Sequence, residues 1–166
     1  IIGFSHTHLS GTGIGDLFDI TVMPVTGDSL TYSRGYEGDS SSGLWSYADR
    51  NREVSEPGYY SVPLVRYGIT AEMTATCRVG LHRYTFPESD KSGIVIDLMN
   101  GGCWDRPMDA YVERIDPQTG LPSEDGTALG GYRFSRGWAD DQKVYFYAEF
   151  STPFDSLVVQ KRNVQV

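Results

Sequence analysis

Ile69-Thr70-Ala71-Glu72-Met73-Thr74-Ala75-Thr76 alternates strictly. Ile69, Ala71, Met73 and Ala75 fall on one side of an extended chain; Thr70, Glu72, Thr74 and Thr76 fall on the other. Successive side chains of a strand point to opposite faces, so this period of two predicts a strand with one dry face and one wet face. Lys143-Val144-Tyr145-Phe146-Tyr147-Ala148-Glu149-Phe150 repeats the period with a difference. Val144, Phe146, Ala148 and Phe150 make one face, while Tyr145, Tyr147 and Glu149 make the other. The second face is amphipathic rather than polar, as expected where another layer or a ligand covers it.

Further strand-like runs occupy residues 20–25, 59–66, 78–86, 94–99, 110–115, 131–135 and 157–161. Turn chemistry separates them: Thr26-Gly27-Asp28, Tyr67-Gly68, Pro87-Glu88-Ser89-Asp90, Asp116-Pro117-Gln118-Thr119-Gly120 and Asp140-Asp141. The 19 Gly and 8 Pro are spread along the whole length and leave no helix of more than three turns. About nine short strands at roughly ten-residue spacing predict an all-β fold, an antiparallel β-sandwich of two packed sheets. No repeat of fixed period appears, which speaks against a propeller. Residues 39–43 and 118–126 read as loops within a single domain spanning 1–166.

The 166 residues suffice for one domain with a real core. Hydrophobic residues at 39% and aromatics at 13% mark a globular rather than a disordered chain. Lys and Arg total 14 against 22 Asp and Glu, a net charge of -8. A nucleic-acid binder needs surplus cations to displace counterions, and an anionic membrane surface asks the same, so both partners are disfavoured. No apolar run approaches the ~20 residues of a spanning helix. A neutral polar ligand such as a sugar is fully compatible. The opening Ile1-Ile2-Gly3-Phe4 has no initiator Met and no leader-like pattern, and it reads as mid-strand. That predicts a processed product or an excised piece of something longer. Cys77 and Cys103 form neither a metal cluster nor a disulfide framework; each reads as a small buried hydrophobe, with one bridge between them as the alternative.

The densest polar cluster is Phe4-Ser5-His6-Thr7-His8-Leu9-Ser10-Gly11-Thr12-Gly13-Ile14-Gly15-Asp16. In an extended strand, His6 and His8 point to the same face and can share a metal or reach one ligand. A zinc site needs at least a third ligand, for which Asp16 is the nearby candidate. Alternatively both imidazoles donate to loop carbonyls, or both bond a substrate hydroxyl. The glycines here are not a dinucleotide fingerprint, because a strand rather than a helix follows them. They read as a tight loop where backbone passes close to something. Hydrolysis of a glycoside needs two carboxylates facing across a cleft. Candidates are Glu53, Glu56, Asp97, Asp105, Asp109, Glu113, Asp140 and Asp141, none of which sequence can pair. Asp97, inside Ile94-Val95-Ile96-Asp97-Leu98, reads as a partly buried strand-end acid that caps backbone N–H groups. No nucleophile elbow, phosphate loop or CxxC is present.

Taken together, Gly3-Phe4-Ser5-His6-Thr7-His8-Leu9-Ser10-Gly11-Thr12-Gly13, Gly15-Asp16-Leu17 and Val22-Met23-Pro24 resemble the N-terminal domain of glycoside hydrolase family 92. The likeness runs on through Pro57-Gly58-Tyr59-Tyr60-Ser61-Val62 and Arg78-Val79-Gly80-Leu81-His82-Arg83-Tyr84-Thr85-Phe86-Pro87. It closes with Tyr132-Arg133-Phe134-Ser135-Arg136-Gly137-Trp138-Ala139 and Phe150-Ser151-Thr152-Pro153-Phe154. The resemblance implies most of the β-sandwich domain of a much longer, calcium-dependent, inverting exo-α-mannosidase. In such enzymes the sandwich packs on an (α/α)6 barrel that carries the catalytic acid, the base and the calcium ligands.

No catalytic residue is therefore carried onto this chain, and the chain alone is expected to be inactive. By position and polarity, His6, His8 and Asp16 are expected nearest the mannose-containing glycan; the resemblance implies that the protein is exported to the periplasm or cell surface for N-glycan degradation. Where relatives carry Ser-His-x-x-Glu, this chain has Asp49-Arg50-Asn51-Arg52-Glu53, so Arg50 stands at the His position. Two other readings stand beside this one. The first is a free-standing carbohydrate-binding sandwich with Tyr145, Tyr147 and Trp138 as its platform; the second is a His-dependent metallohydrolase.

Overall fold

The structure is a computed structural model that describes residues 1–7, 17–27, 39, 42–101 and 105–160. Among these residues the chain forms nine strands in three antiparallel sheets and no helix. It divides into two compact units, one of Ile1–His6 with Thr21–Asp97 and one of Thr7–Ile20 with Leu98–Val166.

The first unit is the sandwich. One layer pairs β1 (Thr21–Thr26) with β6 (Ser92–Asp97); the other runs in the order β2 (Val54–Glu56), β3 (Tyr59–Leu64), β4 (Ile69–Ala75) and β5 (Gly80–Thr85). Register decides what each layer offers the other. Val62 lies opposite Ala71 and Leu64 opposite Ile69, while Met23 lies opposite Val95. These residues, with Val25, Met73, Leu44 and Tyr67, make one core. Each fully buried aliphatic side chain among them contributes roughly 1.5–3 kcal/mol of transfer free energy. The alternation of β4 holds as expected through Met73, and Ala75 then runs out into solvent.

On the wet face of β4, Glu72 lies opposite Arg83. It accepts from Arg83 Nε at 2.7 Å and from Tyr59 Oη at 2.7 Å. The guanidinium, aided by the phenol, holds the Glu72 carboxyl down at about 2. Asp97 closes β6 opposite Thr21 and is partly buried.

The second unit holds the sheet β7 (Arg106–Ile115), β8 (Ala128–Arg136) and β9 (Gln142–Glu149), ordered as in sequence. Tyr111, Tyr132 and Tyr145 lie in one cross-strand row. Tyr132 stacks on Phe134 with ring centroids 4.4 Å apart and on Tyr111 at 5.8 Å. The alternation expected of β9 is present: Val144, Phe146 and Ala148 are partly buried, while Tyr145 and Tyr147 are exposed.

Two runs differ from the sequence reading. Leu157 to Gln160 is not a strand, because an apolar composition supplies no ladder partner by itself. Conversely β2 is short, exposed and polar, and it forms because the Pro57-Gly58 turn folds it back onto β3 with Glu56 opposite Tyr59. Gly58 takes φ +80, the left-handed position of a type II turn whose preceding Pro fixes the other corner. Cys77 also departs from expectation. The strand ends at Ala75, which leaves Cys77 exposed in the β4–β5 turn rather than buried. Cys103 lies outside the described residues.

Candidate functional site

The N-terminal segment is fixed where Phe4 and Val22 exchange backbone hydrogen bonds of 2.9 and 2.8 Å. This lays His6 over Gly80 at the start of β5. A Cβ on Gly80 would fall 2.4 Å from the His6 ring, so the absent side chain is what makes room for the imidazole. His6 Nε2 lies 2.5 Å from His82 Nε2, and His82 Nδ1 lies 2.5 Å from Tyr84 Oη. Phe4 presents its ring edge-on to His82.

Burial, and then the neighbouring His6 imidazole, push His82 down to about 4. Burial also raises the Tyr84 phenol, which stays a neutral hydrogen-bonding group. The sign of the pH effect follows. The unfolded chain takes up a proton on His82 near its ordinary 6.5, whereas the folded chain resists until about 4. Stability is therefore whole above about pH 6.5 and falls as pH drops toward 4. After allowance for solvent screening of this half-buried pair, the expected loss is about 1–2 kcal/mol. His82→Phe should flatten that part of a urea-denaturation pH series; an unchanged slope would place the acid sensitivity elsewhere.

The next residue, Thr7, is tied to Phe18 and Asp19. The Phe18 N–H donates to the Thr7 carbonyl at 3.2 Å, and the Asp19 N–H donates to Thr7 Oγ1 at 3.0 Å. On the returning limb Leu17 and Phe18 take φ 71 and 50, left-handed values that side-chain-bearing residues rarely adopt. His8 and Asp16, with the glycines between them, lie outside the described residues.

Asp19 is fully buried, and Arg133 on β8 reaches it with Nη1 at 2.7 Å. The same guanidinium donates from Nε to the Leu98 carbonyl at 2.8 Å and from Nη2 to Asp105. Gln142 Nε2 adds a donor to Asp19 Oδ1 at 2.6 Å and Ser135 Oγ another at 3.3 Å. Three stretches of chain thus converge on one buried cation.

Four of the other candidate carboxylates are engaged by neighbouring side chains. Tyr60 Oη donates to Glu53 at 2.5 Å, and Arg50 Nη1 donates to the same carboxylate at 2.7 and 2.9 Å. The phenol, then the guanidinium, hold the Glu53 carboxyl below its ordinary range, and Tyr60 is raised to about 12 chiefly by its own burial. Arg50 is thus one member of a surface pair. Asp109 accepts from Tyr132 Oη at 3.0 Å, Glu113 from Tyr111 Oη at 2.9 Å, and Asp141 from Lys143 Nζ at 2.9 Å. Of the sugar-platform candidates, Tyr145 is 68% exposed, Trp138 62% and Tyr147 51%.

Sequence reading missed His82, Tyr84, Asp19 and Arg133. A signal did exist for two of them: His82 and Arg133 occupy inward positions in alternating strands, where a polar side chain demands a partner.

A model of the glycosyl hydrolase family 92 N-terminal domain matches residues 1–165. The chain belongs to glycoside hydrolase family 92. Two solved structures of the family 92 α-mannosidase BT3965 from Bacteroides thetaiotaomicron resemble it at 38% identity and a TM-score of 0.80. One of them is a complex with mannoimidazole. The match covers 91% of this chain but only 18% and 19% of those chains, so this family 92 domain spans about one fifth of their length. No curated protein matches it. Among the described residues, no group of three or more His, Cys, Asp or Glu side chains is placed to hold a metal ion.

Proposed function

We propose that this chain is the β-sandwich wall of the mannose site in an inverting, calcium-dependent exo-α-mannosidase. The family match over residues 1–165 carries the reading. His6, His8 and Asp16 are the residues assigned to the sugar. The support for them is the polarity of residues 5–16 in the sequence, with Thr7 bonded to Phe18 and Asp19 and left-handed backbone at Leu17 and Phe18 on either side of residues 8–16. Loops held this way on a rigid scaffold are where ligand contacts concentrate.

The described residues do not fit calcium. Calcium takes six to eight oxygen ligands. The two buried acids nearest each other, Asp19 and Asp105, already share the guanidinium of Arg133, which stands where a cation would. This reading assigns the calcium, and the acid and base of the inverting step, to the rest of the longer protein. What these residues supply is binding, orientation and exclusion of water. The exposed row of Tyr145 and Tyr147 is the surface assigned to the rest of the protein.

The test is hydrolysis of an aryl α-mannoside by the full-length protein, followed by proton NMR. β-Mannose should form first, and a chelator should abolish turnover until calcium is restored. Retained anomeric configuration, or turnover indifferent to chelation, would contradict the proposal.

The 68% exposure of Tyr145 favours one second reading, a module that stacks sugars on that face. Titration with mannose, mannobiose and a non-mannose glycan separates the two. Saturable binding that is lost in Tyr145→Ala supports the module, and its absence supports the scaffold.

A further inference from the structure

We propose that His82 is a positioning residue for His6. Tyr84 and His82 form a hydrogen-bonded chain that holds the orientation of the His6 imidazole and couples its tautomer to Tyr84, so that His6 meets a neutral sugar hydroxyl in a set orientation. The proposal rests on the reading of His6 as a sugar contact.

The chemistry of the gap requires this coupling. Two ring nitrogens 2.5 Å apart share one proton, one donating and one accepting. Two arrangements satisfy both ends of the chain. In the first, the Tyr84 hydroxyl donates to His82 Nδ1, His82 Nε2–H donates to His6 Nε2, and His6 carries its proton on Nδ1. In the second, His82 Nδ1–H donates to Tyr84, His6 Nε2–H donates to His82, and His6 Nδ1 bears a lone pair. The direction of the Tyr84–His82 hydrogen bond is therefore coupled to whether His6 Nδ1 is a donor or an acceptor.

The surroundings hold this chain in place. The Phe4 ring packs edge-on against His82, Gly80 leaves the space that the His6 ring fills, and Met73 lies opposite His82 in register. His6 from the N-terminal segment and Tyr84 from β5 are the titratable groups facing His82 among the described residues. Protonation of both rings would set two Nε2–H groups against each other and release His6.

The experiment uses the full-length protein and an aryl α-mannoside. Removing one hydrogen bond that orients a ligand contact costs about tenfold, so His82→Phe should raise KM about tenfold or more with a smaller change in kcat. His82→Gln, whose amide can still donate to His6 Nε2, should recover most of that loss at a similar melting temperature. Because His82 acts through His6, the double variant His6→Ala/His82→Phe should be no worse than His6→Ala alone. Multiplied losses in the double variant, or no rescue by Gln, would overturn the proposal.

Nitrogen-15 NMR of the imidazoles provides a readout independent of turnover. His82→Phe and Tyr84→Phe should each move the His6 titration, and an unmoved His6 would overturn the coupling. A wild-type protein inactive on every mannoside would instead overturn the mannosidase reading, leaving the NMR arm to decide the coupling.

Discussion

Replacing Arg133 by Ala should destabilise the protein by about 3–5 kcal/mol, the range for breaking one partner out of a buried ion pair. Arg133 is fully buried and holds two buried carboxylates, Asp19 and Asp105, and the Leu98 carbonyl. Without the guanidinium, both acids keep their charge in a medium that solvates it poorly, or else take up protons at a cost in free energy.

Asp19 is already near its limit. Its Oδ1 accepts from Arg133, Ser135 and Gln142, while Oδ2 is buried with no partner among the described residues. Arg133→Lys would be no remedy, since a single ammonium cannot make the forked contacts of a planar guanidinium. The penalty belongs to the uncompensated charges rather than to lost attraction. The triple variant Asp19→Asn/Asp105→Asn/Arg133→Met should accordingly be more stable than Arg133→Met alone. Urea denaturation followed by circular dichroism measures both. A loss below about 1 kcal/mol for Arg133→Ala, the value of an exposed pair, would mean that the cluster is solvated.

How much of this was legible follows from which residues announce their surroundings. Ile69-Thr70-Ala71-Glu72-Met73 reads directly as a half-buried strand, because a period of two has no other compact use, and the structure buries the odd positions. The type II turn at Pro57-Gly58 was equally available in the residues, yet β2 went unrecognised because Val54-Ser55-Glu56 has no apolar alternation. Its strand character comes from β3, which no local pattern reports. The stretch at 157–160 misleads in the opposite sense: strand composition without a partner makes no ladder.

Distance in the chain hid the rest. His6 and His82 are 76 residues apart, and Asp19 and Arg133 are 114 apart. Only the fold brings such pairs together, so reading His6 beside His8 could not disclose its contact with His82. The partners of the carboxylate candidates were hidden for a related reason. Asp109, Glu113 and Glu53 look free in sequence, but each is bonded to a tyrosine from its own sheet.

The larger expected effect concerns activity. Residues 1–166 produced alone should release no mannose from an aryl α-mannoside at any calcium concentration, while the full-length protein turns it over. An inverting cleavage requires an acid to protonate the leaving oxygen and a base to activate water on the opposite face. Each is worth about 10²–10⁴ in rate, and a binding wall without either retains essentially no catalysis. Among the described residues Glu53, Asp105, Asp109 and Glu113 are each bonded to a phenol or a guanidinium.

The decisive measurement is mannose release by the two proteins side by side, with a cooperative thermal transition recorded for the short one. The account predicts turnover by the full-length protein and none by folded 1–166. Calcium-dependent release by 1–166 alone would contradict it.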